Sequence, residues 1–171
     1  MDITIILNGK TIHDTVDPDM VLLDFCRKHN CTSVRRGCET ANCGLCTVLV
    51  DDVPTLSCGM PVGRADGHRV DTLEGLQAEA AEFTGFLAEQ GADQCGFCNP
   101  GYIVNTIALL RENPRPTDEE IRQYLAGNLC RCTGYESQLR GIRNFLNTKY
   151  GGEVEAHTTV WGEDIGHAWG K

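Results

Sequence analysis

Short stretches of alternating apolar and polar positions dominate the first seventy residues, which is the pattern of half-buried β-strands. The predicted strands cover residues 3–7, 10–16, 47–50, 53–57 and 68–72. Asn8-Gly9 separates the first two runs and is a strong signal for a two-residue hairpin turn. Asp51-Asp52 is the predicted turn between the third and fourth runs.

One helix interrupts these strands. Leu22, Phe25 and Cys26 fall on a single helical face, in a segment that runs to about Lys28. Asp17-Pro18 has the pattern of an N-cap followed by proline at the first helical position. Strands wrapped on one helix over residues 1–73 predict a β-grasp arrangement.

After residue 75 the spacing of apolar positions changes to the period typical of helices. Helices are predicted over residues 78–90, 101–112, 117–127 and 137–149. Gly91 ends the first helix, and a capping box over residues 117–120 opens the third. The fold class is therefore α+β, with a β-grasp domain over 1–75, a four-helix domain over 76–150 and a tail over 151–171.

The tail begins with the hinge Gly151-Gly152 and is polar and acidic, apart from Trp161 and Trp169. Two interpretations remain open at this point. The tail is either a frayed terminus or an arm that lies on a partner subunit with its tryptophans as anchors.

Charge narrows the function classes. The chain has 171 residues and a formal net charge of -9, which argues against nucleic acid or an anionic membrane surface as the main partner. We expect no membrane span, because no apolar run is long enough, and no signal peptide, because Met1-Asp2-Ile3-Thr4 lacks a basic region. The expected location is cytoplasmic, where thiols stay reduced.

Ten cysteines are the feature that points to chemistry, and eight of them form two groups of four. The first group is Cys38, Cys43, Cys46 and Cys58, and the second is Cys95, Cys98, Cys130 and Cys132. In a reducing compartment such groups bind metal or carry out redox chemistry. Cys26 and Cys31 belong to neither group. We expect both to be structural, with Cys26 as a packed thiol on the helix face.

The first group has the plant-type [2Fe–2S] spacing, C-x4-C-x2-C followed by a distant fourth cysteine. We expect a loop to supply three thiolates and an adjacent strand the fourth. Gly37 and Gly44 suit a backbone held close to a cluster, through small size and positive φ. Structural zinc usually takes two separated C-x2-4-C pairs, so the spacing favours iron and sulfide.

The second group reads C-x2-C, a gap of 31 residues, then C-x-C. Cys130 and Cys132 are two residues apart, so they cannot share one helical face and are predicted in a turn between helices. On spacing alone, zinc stays open for this group.

Three sequence blocks resemble the molybdenum hydroxylase family. They are Gly37-Cys38 with Cys43-Gly44-Leu45-Cys46-Thr47-Val48 and Ser57-Cys58; Gln94-Cys95-Gly96-Phe97-Cys98-Asn99-Pro100-Gly101; and Gly127-Asn128-Leu129-Cys130-Arg131-Cys132-Thr133-Gly134-Tyr135. The resemblance covers residues 1–150. It implies the small iron–sulfur subunit of a xanthine dehydrogenase-, aldehyde oxidoreductase- or carbon monoxide dehydrogenase-like enzyme.

The resemblance also implies roles and partners. A large subunit would hold the molybdopterin cofactor and a medium subunit FAD, in a heterotrimer or a dimer of heterotrimers. The eight grouped cysteines would bind two [2Fe–2S] clusters that pass electrons singly from molybdenum to FAD. The helical-domain cluster would lie next to the pterin, with Cys132 nearest and Gln94 hydrogen-bonded to its edge. Gly44 and Gly96 would shape the cofactor-binding loops.

Two departures from the family pattern affect the loops. Glu39-Thr40-Ala41-Asn42 stands where the family commonly has Gly-Glu-Gly-Gly, and we expect Asn42 to supply the left-handed conformation. Asn99 stands where threonine is commoner.

This chain shows no nucleophile motif, no G-x-G-x-x-G and no two-histidine metal helix, so substrate chemistry is expected on the partners. A purine or related nitrogen heterocycle is the favoured substrate, with aldehyde or carbon monoxide as alternatives. A free two-cluster ferredoxin-like carrier and a zinc-stapled scaffold are the rival functions.

Overall fold

A computed structural model describes residues 1–152, and the 151–171 tail lies outside these residues except for its first two glycines. The described chain forms five strands and five α-helices. In chain order they are β1 (Asp2–Leu7), β2 (Lys10–Thr15), α1 (Leu22–Lys28), β3 (Thr47–Val50), β4 (Val53–Leu56), β5 (Arg69–Asp71), α2 (Gln77–Glu89), α3 (Asn99–Glu112), α4 (Asp118–Leu125) and α5 (Glu136–Tyr150). Within residues 1–152, no helix is long and apolar enough to cross a bilayer.

The five strands form one mixed sheet in the order β2-β1-β5-β3-β4. Only β1 and β5 pair in parallel; the other neighbours are antiparallel. Both predicted hairpin turns have two residues at positive φ, at Asn8-Gly9 and at Asp51-Asp52, as the sheet twist requires. Helix α1 buries Leu22 and Phe25 in the core of this sheet, so the predicted β-grasp arrangement is confirmed.

Helix α1 begins four residues later than predicted. Its N-cap is Val21, and Asp17-Pro18 forms a turn in which the Met20 amide donates to the Asp17 carbonyl. The cause is pairing with the segment after β4, because the Leu22 amide donates to Met60 and the Val62 amide to Met20. These backbone bonds hold Val21 extended at the helix entrance.

Helices α2 to α5 match the four predicted ones to within two residues at each end. The capping box forms as expected, with the Glu120 amide donating to Thr117 Oγ1 at 3.3 Å and the Thr117 amide to Glu120 Oε2 at 2.7 Å. Phe83, Ile142 and Phe145 lie at the centre of the helical core. Leu49 of β3 joins the same core, so the sheet and the helices share buried surface.

An ion-pair network ties the sheet to the helices at its β3–β4 turn. The Arg111 guanidinium on α3 contacts Asp52 in that turn and Glu79 on α2. Arg69 on β5 contacts Asp52 and Asp71. The network is exposed and therefore contributes little stability by itself, but it fixes the orientation of α3 against the turn.

Two helical glycines give a matched test of the helical packing. A Cβ atom on Gly141 of α5 would lie 2.7 Å from Leu87 Cδ2 and 2.9 Å from Leu87 Cα, whereas one on Gly85 of α2 would meet nothing within 4 Å. We expect Gly141→Ala to destabilise the chain by about 1–3 kcal/mol through overpacking. Gly85→Ala should stabilise it by about 0.5–1 kcal/mol through helix propensity. Thermal loss of helical circular dichroism measures both, and a melting temperature raised by Gly141→Ala contradicts this packing.

Candidate metal centres

The first cysteine group gathers around the long loop between α1 and β3. Cys38, Cys43 and Cys46 lie in this loop, and Cys58 lies in a short 3₁₀ turn, Ser57–Gly59, directly after β4. The expectation that a strand carries the fourth cysteine is therefore wrong. Strand β4 ends at Leu56 because the Ser57 amide and hydroxyl both donate to the Cys46 carbonyl, which turns the chain toward the loop.

The four sulfurs of this group lie in two pairs. Cys38 Sγ lies close enough to Cys43 Sγ for their titrations to interact, and the same holds for Cys58 Sγ and Cys46 Sγ. The two pairs interact electrostatically across the group. Two thiols on each side of a common centre is the arrangement that a two-iron cluster needs.

Backbone amides of the loop point at its sulfurs. The amides of Asn42, Thr40 and Cys43 donate to Cys38 and, together with the Cys43 thiol, lower the pKa of the Cys38 thiol to about 6. Burial instead raises the pKa of Cys58 to about 12, with the Cys46 thiol adding to the shift. The loop thus stabilises negative charge at one end, while at the other a metal has to displace the proton.

The left-handed residue of the loop is Ala41, with φ 53°, and not Asn42 as expected. The Asn42 amide is one of the donors to Cys38, and this leaves the reversal of the chain to the residue before it. An alanine in this conformation costs on the order of 1 kcal/mol, which the amide–sulfur bonds offset. Gly37 supplies space rather than positive φ, because a Cβ there would lie 2.6 Å from Leu45 Cδ2.

The second cysteine group lies where two loops of the helical part meet. Cys95 and Cys98 stand in the loop that leads into α3, and Cys130 and Cys132 in the loop between α4 and α5, as predicted for the C-x-C pair. These sulfurs also pair, with Cys132 Sγ 3.4 Å from Cys95 Sγ and with Cys98 Sγ close enough to Cys130 Sγ for their titrations to interact.

Donors surround this second group too. The Phe97 amide donates to Cys95 Sγ and lowers the pKa of that thiol. Burial opposes ionisation of Cys130, yet Thr133 Oγ1 at 3.2 Å and the amides of Thr133 and Cys132 outweigh it and lower its pKa. Burial raises the pKa of Cys98 to about 12.

The donor chemistry fits a [2Fe–2S] cluster at each group. Four soft thiol ligands with amide donors aimed at the sulfurs are the environment that such clusters take, and thiols in twos suit two irons with two thiolates each. A tetrahedral zinc ion would draw all four sulfurs of a group onto one centre. The paired sulfurs therefore favour iron and sulfide for the second group, where spacing left zinc open.

The two groups differ in exposure. Cys43 and Cys46 are buried, whereas Cys95 and Cys132 are exposed at the surface. Phe97, Leu129 and Tyr135 are about half-exposed around the second group. These three side chains help to line a cavity of about 490 Å³ that also contacts cysteines of both groups.

The loops of the two groups are bonded directly to each other. The Leu129 amide donates to the Cys43 carbonyl at 2.9 Å, and Asn128 Nδ2 donates to the Gly44 carbonyl at 3.1 Å. Asn105 Nδ2 in turn donates to Asn128 Oδ1 at 2.6 Å. This contact could not be predicted from the sequence, because no local pattern links Asn128 to a carbonyl 84 residues earlier in the chain.

Of the other predicted site residues, Gly44 has φ +73°, and a Cβ there would lie 2.4 Å from the Gly127 carbonyl oxygen. Gly96 has φ +69°, and a Cβ there would lie 3.6 Å from Asp93 Oδ1, while Gln94 is exposed beside Cys95. Arg35 donates to the Gly96 carbonyl, whereas Arg36 pairs with Asp24.

Three further residues, Arg131, Cys26 and Cys31, are not among the grouped cysteines. Arg131 is exposed between Cys130 and Cys132 and lines the shared cavity. Cys26 is fully buried in the sheet core, and burial raises its pKa. Cys31 is also buried and accepts a hydrogen bond from Asn8 Nδ2 at 3.4 Å.

A β-grasp sheet with one cysteine group and a four-helix unit with a second define a two-cluster iron–sulfur protein. A family model described as "2Fe-2S iron-sulfur cluster binding domain" matches residues 5–73, and one described as "[2Fe-2S] binding domain" matches residues 72–143.

Whole-chain comparisons extend this class to a family. The chain is 44% identical over 132 residues to the nicotinate dehydrogenase small FeS subunit of Eubacterium barkeri, covering 75% of this chain and 84% of that one. It is 39% identical to a subunit of the probable xanthine dehydrogenase of Bacillus subtilis (strain 168), covering 88% of each. The crystal structure of quinoline 2-oxidoreductase from Pseudomonas putida 86 superposes with a TM-score of 0.79 at 35% identity, covering 90% of this chain and 98% of that one.

The chain belongs to the family of small iron–sulfur subunits of molybdenum hydroxylases. It carries two [2Fe–2S] domains and serves electron transfer within an oxidoreductase whose molybdopterin and FAD reside in partner subunits.

The contact between the loops can be tested at Gly44. Gly44→Ala should push the loop off residues 127–128 and lower iron content and visible absorbance, since both a positive φ and the close approach are violated. Gly134→Ala is the matched control, because Gly134 has φ +69° with nothing within 4 Å of its Cβ position. It should cost only about 1 kcal/mol and leave iron content unchanged. Equal iron loss in both variants would show that backbone strain alone matters.

Thiol reactivity tests the electrostatics of the first loop. In the iron-free chain at a pH of about 7.5, iodoacetamide should label Cys38 before Cys58, because Cys38 is largely thiolate and Cys58 is not. The Cys38 rate should fall as the pH drops through about 6 and be about tenfold slower at a pH of about 5. Peptide mass spectrometry gives the order of labelling. Cys26 is the internal control and should react only after unfolding; if Cys58 reacts first, the loop geometry is wrong.

Proposed function

We propose that the eight grouped cysteines are the ligands of the two clusters. Cys38 and Cys43 would share one iron of the first cluster and Cys46 and Cys58 the other. In the second cluster, Cys95 with Cys132 and Cys98 with Cys130 would form the two pairs. The sulfur contacts within each pair support this assignment.

Each cluster, when bound, takes up and releases one electron at a time. The chain's own residues hold the ligands, aim amide donors at the sulfurs and keep Cys43 and Cys46 away from water. The bonds from Leu129 and Asn128 to the first loop keep the two groups at a fixed separation. Such a scaffold passes single electrons between partners and does not itself bind a substrate.

We propose that the second group faces the molybdopterin subunit and the first group the FAD subunit. Cys132 would lie nearest the pterin and Gln94 would hydrogen-bond its edge. The exposure of Cys95, Cys132 and Gln94, inside a rim of half-exposed apolar side chains, supports a partner at this surface. The buried cysteines of the first group suit an inner position in the relay.

The proposed assembly is a cytoplasmic heterotrimer with one copy each of the small, medium and large subunits, or a dimer of such heterotrimers. The chain would divide into units at residues 1–75 and 76–150, followed by the arm at 151–171. Cys26 and Cys31, the two cysteines outside the cluster groups, form no disulfide in the described chain, which suits a reducing location.

We infer that the complete enzyme hydroxylates a nitrogen heterocycle, a purine or a pyridine-type ring. The three relatives compared above are named for nicotinate, xanthine and quinoline, all of which are nitrogen heterocycles, and each covers most of this chain. The substrate would bind on the large subunit, so this inference rests on family likeness and not on a pocket of this chain.

Affinity purification of this chain from its native host tests the function. We expect molybdenum, FAD and about four irons per copy of the chain to co-purify. Anaerobic addition of xanthine or nicotinate should then bleach the visible iron–sulfur absorbance, and an aldehyde should not. An unpartnered chain with iron alone would identify a free carrier, and zinc in place of iron would identify a scaffold; either result overturns the proposal.

A further inference from the structure

One cationic side chain crosses from the first cysteine loop to the second. Arg35 is half-buried and stands three residues before Cys38. Its Nη1 donates to the Gly96 carbonyl at 2.5 Å, and its guanidinium carbon lies 5.2 Å from the centroid of the Phe97 ring. Arg35 therefore holds the C-x2-C loop of the second group by both a hydrogen bond and a cation–π contact.

The bonded carbonyl belongs to a peptide unit that also contacts a cluster ligand. The Gly96 carbonyl and the Phe97 amide are the two ends of one planar peptide group, and the Phe97 amide donates to Cys95 Sγ. A donor on the carbonyl end polarises the group and strengthens the amide as a donor. Arg35 thus acts on Cys95 without touching it.

The charge of Arg35 is not neutralised by any carboxylate of the described chain. Within residues 1–152, no carboxylate forms an ion pair with Arg35, whereas the neighbouring Arg36 pairs with Asp24 at 3.0 Å and with Glu39 at 3.8 Å. A four-thiolate cluster is anionic and becomes one charge more negative on reduction. An uncompensated cation and a strengthened amide–sulfur bond both favour the reduced form.

We propose that Arg35 is a positioning residue of the second cluster, which orients and polarises the Gly96–Phe97 peptide toward Cys95 and so raises the reduction potential of that cluster. The inference rests on the proposed assignment of Cys95 as a ligand. A residue of the first loop then sets how readily the second cluster accepts an electron.

The alternative is that Arg35 has a purely structural role. Arg111 already joins α3 to the β3–β4 turn, and Asn128 and Leu129 join the two cysteine loops, so the loss of Arg35 removes one contact among several. A structural role would change stability and leave the potential of the assembled cluster unchanged. The potential is therefore the readout that discriminates.

The experiment compares Arg35→Met with Arg36→Met in the purified holoenzyme. Both variants remove one positive charge from adjacent positions, but only Arg35 contacts the second loop. Midpoint potentials of both clusters are measured by redox titration followed by electron paramagnetic resonance. Cys58→Ser and Cys132→Ser variants assign the two signals to the two clusters.

We expect Arg35→Met to make reduction of the second cluster about tenfold less favourable, a fall of about 59 mV for one electron. The first cluster should change less than about twofold in the same constant, and Arg36→Met should leave the second cluster within about twofold. A second-cluster potential that Arg35→Met does not move, or that Arg36→Met moves equally, overturns the proposal.

Arg35→Lys keeps the inference testable if Arg35→Met fails to assemble its clusters. Lysine retains the charge but not the planar fork, so the second-cluster signal should change shape at full iron content, and an unchanged signal and potential contradict the role. The wild-type holoenzyme distinguishes a failure of the ligand assignment from a failure of the role proposed for Arg35. Fewer than two [2Fe–2S] signals there contradict the ligand assignment, whereas two signals that Arg35→Met leaves unmoved contradict only the role of Arg35.

Discussion

The structure depends on the hydrogen bonds that join the two cysteine loops. Carbonyls of Cys43 and Gly44 accept from the Leu129 amide and from Asn128, so a β-grasp unit and a four-helix unit meet at the residues next to their proposed ligands. A glycine at position 44 allows the backbones to approach this closely. Because loops are normally the mobile parts of a protein, bonding them to each other gives both cysteine groups a common rigid frame.

Electrostatics within this frame is uneven. Amides of the first loop favour the thiolate at Cys38, while burial disfavours it at Cys58 and Cys98. The protein thus controls its clusters by the means open to any iron–sulfur protein, namely ligand geometry, hydrogen bonds to sulfur and exposure. Cys95 and Cys132 of the second group are exposed, whereas Cys43 and Cys46 of the first are buried, which agrees with the partner surface proposed for the second group.

Much of this could be predicted from the sequence, because the informative signals are local. Asn8-Gly9 indicated the first hairpin, the Thr117–Glu120 box indicated the start of α4, and cysteine spacing separated the two groups. Misjudged positions depend on distant partners. Residues 20–22 pair with 60–62 and delay α1, the Cys46 carbonyl turns the chain at Ser57, and the amide of Asn42 serves Cys38 while Ala41 reverses the chain. Arg35 and Asn128 were visible as residues, but their contacts cross 61 and 84 positions.

The bonds from residues 128 and 129 to the first loop also bear on biosynthesis. A ribosome makes Cys43 and Gly44 long before it makes Asn128 and Leu129, so the early loop lacks its final neighbours during most of translation. The β-grasp strands are all complete by residue 71 and are free to pair in the meantime. In its finished shape the first site therefore includes contacts from residues made only after α4, so its completion depends on the helical half of the chain.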